Sequence, residues 1–169
     1  SRPAEAVPYF QKAMPWIPRE AGANLATAWL HAGRPAEALA AAEELCAAPR
    51  PPPDGFLLRG LALLQLDRTA EAIPPLERAA AEMPANPLAW QMLYRAHVEA
   101  GDDVAAAKIL LRLRGLGNND IRDFDGLVRT YVRTWRQGNA RLAWPFFANN
   151  FKRRPDHVLL HNAAAWLLA

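Results

Sequence analysis

His157 and His161 stand four residues apart, a spacing that on a helix puts two imidazoles on one face and could hold a metal. His157 falls in the turn before the helix, however, no Glu follows Asp156 in an H-E-x-x-H arrangement, and no third ligand is evident. Asp120, Asp123 and Asp125, followed by Gly126, hint at a calcium loop. That reading fails because the first ligand position falls on Ile121 and the closing one on Val132 instead of Glu. Cys46, the single cysteine, lies between Leu45 and Ala47 with no His in local sequence to activate it, so it reads as a small packed residue. A lone cysteine also excludes an internal disulfide framework and a cysteine zinc site. Neither G-x-x-x-x-G-K-[ST] nor G-x-G-x-x-G occurs, and Gly115-Leu-Gly117 alone is too short to cradle a phosphate. The chain is therefore expected to be no enzyme and to hold neither metal nor cofactor.

What remains is binding. Of 169 residues, 51% are hydrophobic and 22% charged, a balance that buries a core and argues against disorder. Apolar runs are short, as in Ala38 to Ala42, so no segment is expected to cross a bilayer. Ser1 to Pro8 lacks the basic and apolar succession of a secretory signal, and neither a cytoplasmic nor a periplasmic location is singled out. The net charge of +3 is unevenly divided. Residues 1–107 carry nine basic and thirteen acidic side chains, whereas residues 108–169 carry eleven and four. The C-terminal third should therefore draw acidic groups.

The elements that position these residues follow from an internal repeat. Arg2-Pro-Ala-Glu-Ala6 recurs as Arg34-Pro-Ala-Glu-Ala38, as Arg68-Thr-Ala-Glu-Ala72 and, weakly, as Asp102-Asp-Val-Ala-Ala106, at steps of 32, 34 and 34 residues. Four positions beyond each final Ala stand Phe10, Ala42, Leu76 and Leu110, and three further on Ala13, Leu45, Ala79 and Leu113. That spacing gathers them on one helical face. A second apolar segment lies upstream of each copy, closed by Gly33 in one unit and Gly101 in another, where a left-handed residue ends a helix. Two helices per unit result. Pro35 suits a first helical position, while Pro18, Pro84 and Pro155 mark the ends of second helices. Pro8, Pro74 and Pro145 sit deeper, so their helices are expected to start late or bend.

In this pattern the chain resembles the tetratricopeptide family of helical repeats, of a bacterial type. Phe56, Gly60, Leu63, Ala72, Leu76, Ala79 and Pro84 occupy the family's places best; Arg59 stands where Leu is usual. Trp90, Leu93, His97, Gly101, Ala106, Leu110 and Leu113 do so in the next unit, with Tyr94 where Gly is preferred. Leu25, Ala26, Trp29, Gly33, Ala38 and Leu45 do so in the one before. The resemblance implies an all-α fold, a right-handed α-solenoid of stacked antiparallel helix pairs. The units are 19–52, 53–86, 87–120 and 124–157, with partial units 1–18 and 158–169 at the ends, in a single solenoid domain that reads as a piece of a longer array. About three residues are inserted between Arg114 and Asp125, and Thr130 and Thr134 replace apolar residues of the degenerate unit. The aromatic group Trp144, Phe146, Phe147 and Phe151 reads as core packing on a second helix.

First helices line the concave side of such a stack, where family members usually hold peptides. Over Leu127 to Arg136, five apolar residues cover an arc of about 140 degrees and Arg129, Arg133 and Arg136 adjoin it. If Leu127 and Tyr131 face the core, as the family pattern implies, Val128, Arg129, Val132, Trp135 and Arg136 face the groove. Projected likewise, Leu57, Leu61, Leu64 and Gln65 of one unit and Gln91, Arg95, Val98 and Glu99 of the next line the inner surface, though the aliphatic ones also suit interhelix packing. The expected partner contacts are Gln65, Gln91, Arg95, Val128, Arg129, Val132, Trp135 and Arg136. They would suit a protein or peptide with an apolar anchor and acidic groups, held by a non-catalytic scaffold. The other reading is a substrate-docking or regulatory arm of a larger enzyme such as a glycosyltransferase. Recurring base-reading residues are absent, so no nucleic acid is expected, nor membrane insertion.

Overall fold

The computed structural model describes residues 3–116 and 124–139, together with Arg141, Trp144 and Ala148. These residues form eight helices and no strand: α1 (Pro3–Ala13), α2 (Pro18–His31), α3 (Pro35–Ala47), α4 (Pro53–Gln65), α5 (Thr69–Glu82), α6 (Pro87–Ala100), α7 (Asp103–Gly115) and α8 (Phe124–Arg136). The chain divides within α6 into two compact units, Ser1–Ala96 and His97–Ala169. In the first, α1, α2, α3 and α4 each pack on the helix that follows, and α2 also touches α4; in the second, α7 packs on α8.

One turn design closes the helix pairs. After α2, Gly33 N–H donates to Leu30 O and Arg34 N–H to Trp29 O, the paired 5→2 and 6→1 bonds of a Schellman ending. The same pair of bonds closes α4 at Asp67 and Arg68, α6 at Gly101 and Asp102, and α8 at Gly138 and Asn139. The first residue of each pair is left-handed: φ is 70° at Gly33, 77° at Gly101 and 82° at Gly138. Asp67 does the same work with φ 56° and is the one non-glycine at positive φ among the described residues. Asp tolerates that region better than most residues, which is why the repeat over residues 53–86 keeps its turn without the glycine the period leads one to expect there.

The residue completing the turn also starts the next helix. Arg34 and Arg68 are the N-caps of α3 and α5, and neither makes a side-chain cap bond. Each guanidinium instead reaches three residues on, Arg34 to Glu37 and Arg68 to Glu71 at 2.7 Å. These bonds hold both carboxyls below the usual carboxylate range. The repeated Arg-x-x-Glu is thus a first-turn ion pair that also sets an acid at the positive end of the helix dipole. Asp102 substitutes a true cap, accepting from Ala105 N–H at 3.0 Å, and Asn86 accepts from Leu88 N–H at 3.0 Å to cap α6.

Proline starts α2, α3, α4 and α6, where its missing N–H has no helical partner to lose. Pro18 therefore opens a helix, contrary to the expectation that it ends one. The expected late start also fails: α5 begins at Thr69 and runs through Pro74 and Pro75, and α1 runs through Pro8. The shared face of the helix pairs outweighs the missing bonds, since Ala72, Leu76 and Ala79 in α5 are all 0% exposed. Residues 117–123 of the inserted turn, with Asp120 and Asp123 of the acidic cluster, and His157, His161, Phe146, Phe147, Phe151, Pro145, Pro155 and the last partial unit lie outside the described residues.

Within the first unit the helix crossings are set by small residues. A Cβ on Gly60 would stand 2.4 Å from Leu76 Cγ and 2.5 Å from its Cδ2, inside any real carbon contact. Leu76 is fully buried, so it has nowhere to withdraw. In the preceding pair the equivalent positions carry Ala26 and Ala42, both fully buried in one cluster with Leu45 and Leu58. Bulk has moved from one helix to the other with the closeness of approach preserved. Gly60→Ala should therefore lower stability by about 1–3 kcal/mol, read by urea denaturation, and Leu76→Ala in the same chain should cost less than it does alone. Additive losses would show that the two positions do not meet.

Candidate interaction site

Charge that is already engaged inside the fold is separable from charge that faces outward. Arg34 lies 4.2 Å from the Trp29 ring centre and Arg78 lies 3.9 Å from that of Phe56, while Arg78 Nε also donates to Glu82 at 2.8 Å. These cations stack on the repeat's own aromatic residues, which shields apolar faces and fixes the turns. Cys46 is half-buried beside α4, its Sγ 3.5 Å from where a Gly55 Cβ would be. Burial pushes its thiol up, and the nearby Arg59 and Arg78 offset this only in part. A raised thiol is a poor nucleophile at neutral pH.

In the second unit α8 is fastened to the start of α7 by polar contacts. Thr134 Oγ1 lies 3.0 Å from Asp103 O and 2.8 Å from Thr130 O, so one hydroxyl proton is shared between an acceptor on α7 and one in its own helix. Thr130 and Thr134 are both fully buried. Arg133 Nε approaches the Asp103 carboxylate at 3.0 Å; the charges touch, although the N–H is not aimed squarely enough for a hydrogen bond to that oxygen. Asp103, 5% exposed, sits at the first residue of α7, where the helix dipole also favours its charge. His97 Nδ1 stands 3.5 Å from Asp102 Oδ2, a second acidic contact at the same turn.

These contacts fix which side of α8 faces inward. Val128 and Tyr131 are each 2% exposed, and with Thr130 and Thr134 they make up the buried arc. Val128 is thus withdrawn from the surface, a correction to the expectation that it meets a partner: the inward face turns toward the threonines, because Asp103 O supplies an acceptor for a buried hydroxyl. Arg129 and Arg136 are exposed, and Val132 and Trp135 are half-buried between them and the core. Trp135 lies against the exposed Trp144, ring centres 6.2 Å apart and planes tilted by 53°. Arg129, Arg136, Val132 and Trp135 therefore share one face, and Arg133 on the same basic stripe is occupied by Asp103.

The other expected residues lie in the first unit. Gln65 and Arg95 are exposed and Gln91 is half-buried. Leu57 and Leu64 are buried and Leu61 half-buried, so packing takes most of that aliphatic surface. The Thr134 tie and the Arg133–Asp103 pair are absent from the sequence reading; the signal for them is two threonines on a helix that otherwise carries apolar residues on its inner side. Among the described residues no group of three His, Cys, Asp or Glu is placed to hold a metal ion, and no helix is long and apolar enough to cross a membrane.

Comparison with known proteins places this arrangement. Residues 63–129 match the model of the tetratricopeptide repeat family. The chain is similar to PilW, a widely conserved type IV pilus biogenesis factor, at 22% identity and a TM-score of 0.63 over 92% of this chain and 72% of that one. It is also similar to TTC0263, a tetratricopeptide protein of Thermus thermophilus, at 21% identity and a TM-score of 0.64 over 99% and 92%. No curated protein matches the sequence. The match covers residues 63–129, and the likeness to the two solved structures shows that the chain has an all-α helical-repeat solenoid fold.

Two outcomes test the local chemistry. Arg133→Ala leaves the Asp103 carboxylate buried without its cation and should cost about 1–3 kcal/mol in urea denaturation, part of which Asp103→Asn in the same chain restores; an unchanged midpoint would dismiss the tie. Cys46 should react with a disulfide reagent at pH 8 more slowly than free cysteine, since a raised thiol carries less thiolate at a given pH. A faster reaction would contradict its packed environment.

Proposed function

We propose that the chain is a non-catalytic scaffold that binds a partner protein in its groove through the α8 face that carries Arg129 and Arg136, taking a peptide with an apolar anchor and acidic groups. The observation that carries this reading is the exposure of Arg129 and Arg136 beside half-buried Val132 and Trp135. A guanidinium next to a partly open aromatic and aliphatic shelf offers charge-assisted hydrogen bonds and apolar burial within one side chain's reach. Helical repeats of this family serve generally as protein-interaction scaffolds, and the tetratricopeptide match over residues 63–129 supports that role here. The excess of basic residues in positions 108–169 gives the same face a long-range attraction for acidic partners. In the first unit, taken by itself, exposed Gln65 and Arg95 and half-buried Gln91 are proposed as separate partner contacts.

Arg129→Ala and Arg136→Ala test the reading. For partners captured from the native host and then purified, each substitution should weaken binding by about two- to fivefold. The double variant should flatten the salt dependence while leaving the melting temperature unchanged. Partners whose affinity and salt slope are indifferent to both changes would remove α8 as the binding face.

A further inference from the structure

In the first unit one crossing lacks its large residue. Phe56 and Trp90, one period apart, begin their units' inner packing, and one period before Phe56 stands Gly22. The bulk has crossed to α3: Leu45, where the next unit has Ala79, reaches toward Gly22, so that a Cβ there would lie 2.9 Å from Leu45 Cδ2. A leucine does not fill an aromatic residue's room. A cavity of about 190 Å³ remains, its walls almost wholly apolar and formed by Met14, Pro18, Gly22, Ala41, Leu45 and Pro52.

The mouth of this cavity is charged on one side. Arg19 and Arg50 border it together with Glu44, all exposed, which gives the rim an excess of positive charge. The turn between Met14 and Pro18 adds Trp16, 84% exposed, and Ile17, 49% exposed. Arg19 and Pro52 also border a second, polar cleft of about 430 Å³ that reaches Asn24 and the acidic Glu20 and Asp54, so the positive charge is confined to the mouth of the apolar cavity. An apolar socket, two guanidinium groups and a polar cleft with room for main-chain amides thus adjoin one another.

We propose that this cavity is a peptide-binding socket, in which one aromatic or large aliphatic side chain of a partner takes the place of the side chain missing at Gly22 while a neighbouring carboxylate meets Arg19 and Arg50. The size of the socket fits one such side chain, and the excess of rim charge selects an acidic neighbour. The inference shares the reading that the chain binds proteins but does not depend on α8.

The test uses acetyl-Glu-Phe-Glu-Gly amide as the probe, followed by amide shifts in heteronuclear NMR of the full chain. Saturable shifts should centre on Gly22, Ala41 and Leu45. Arg19→Ala with Arg50→Ala should weaken binding at least about threefold, as should exchange of Glu for Gln in the probe. Gly22→Phe with Leu45→Ala rebuilds the Phe56 and Ala79 arrangement and should abolish the shifts while the melting temperature holds or rises; Ala41→Leu is a second plug should that variant fold poorly. Arg129→Ala with Arg136→Ala should leave this binding intact, which separates the socket from the α8 surface. The proposal falls if no shift appears at those three residues, if the charge changes have no effect, or if both plugs leave binding unaltered. It also falls if 4-phenylbutyrate binds as tightly as the peptide, marking a site for free amphipathic acids, or if wild type alone dimerises and the plugged variant is monomeric, marking a site for a second copy.

Discussion

A single residue in the left-handed conformation lets each helix pair close. The Schellman bonds at Gly33, Asp67, Gly101 and Gly138 satisfy carbonyls that a helix end would otherwise leave open, and the residue that donates the longer bond is already in place before the next helix. Because the turn is so short, two neighbouring helices must run antiparallel and meet along their whole length. Everything else in the fold adapts to that closeness. The Arg34–Glu37 and Arg68–Glu71 pairs, lying in the first turn after the bend, stiffen it from outside, while exposed charge of this kind contributes little to stability by itself.

Close approach is managed by exchanging volume between facing positions rather than by a fixed residue at each. Gly60 meets Leu76 where the pair before it has Ala26 and Ala42, and Leu45 reaches to Gly22 where the next unit has Ala79 and Phe56. The first exchange leaves the crossing filled; the second leaves a void, because the branched end of a leucine is smaller than an aromatic ring. A repeat protein tolerates such a local fault, since each hairpin rests mainly on its immediate neighbours. The same tolerance frees individual hairpins to acquire binding features.

The arginines divide accordingly. Arg34, Arg68, Arg78 and Arg133 are held by glutamates, aspartate or rings of the chain itself. Arg129 on α8 and Arg19 and Arg50 at the cavity rim are exposed and make no ion pair among the described residues. The basic residues counted in the sequence thus overstate the positive charge that is not already engaged within the chain.

The repeat and the helix pairs were legible in the sequence, since the Arg-x-Ala-Glu-Ala recurrence and the apolar spacing behind it report directly on local helix geometry and on one face of each helix. The glycine at a turn was legible where it occurred, and Asp67 was not, because a left-handed aspartate carries no signature until its neighbours' bonds are seen. For α8 the sequence placed Tyr131 inward, where it lies, but Val128 outward, whereas Val128, Thr130 and Thr134 are all buried and the basic stripe loses Arg133 to Asp103. A hydroxyl or a charge is buried only if another element brings an acceptor or counter-ion to it, and that partner, 31 residues away for Thr134, is a fact of tertiary packing. The cavity at Gly22 belongs to the same class. Sequence by itself determined which segments are helical and how they pair; the facing of one helix against another decided which side chains are spent in the interior, which are left outside, and where room remains.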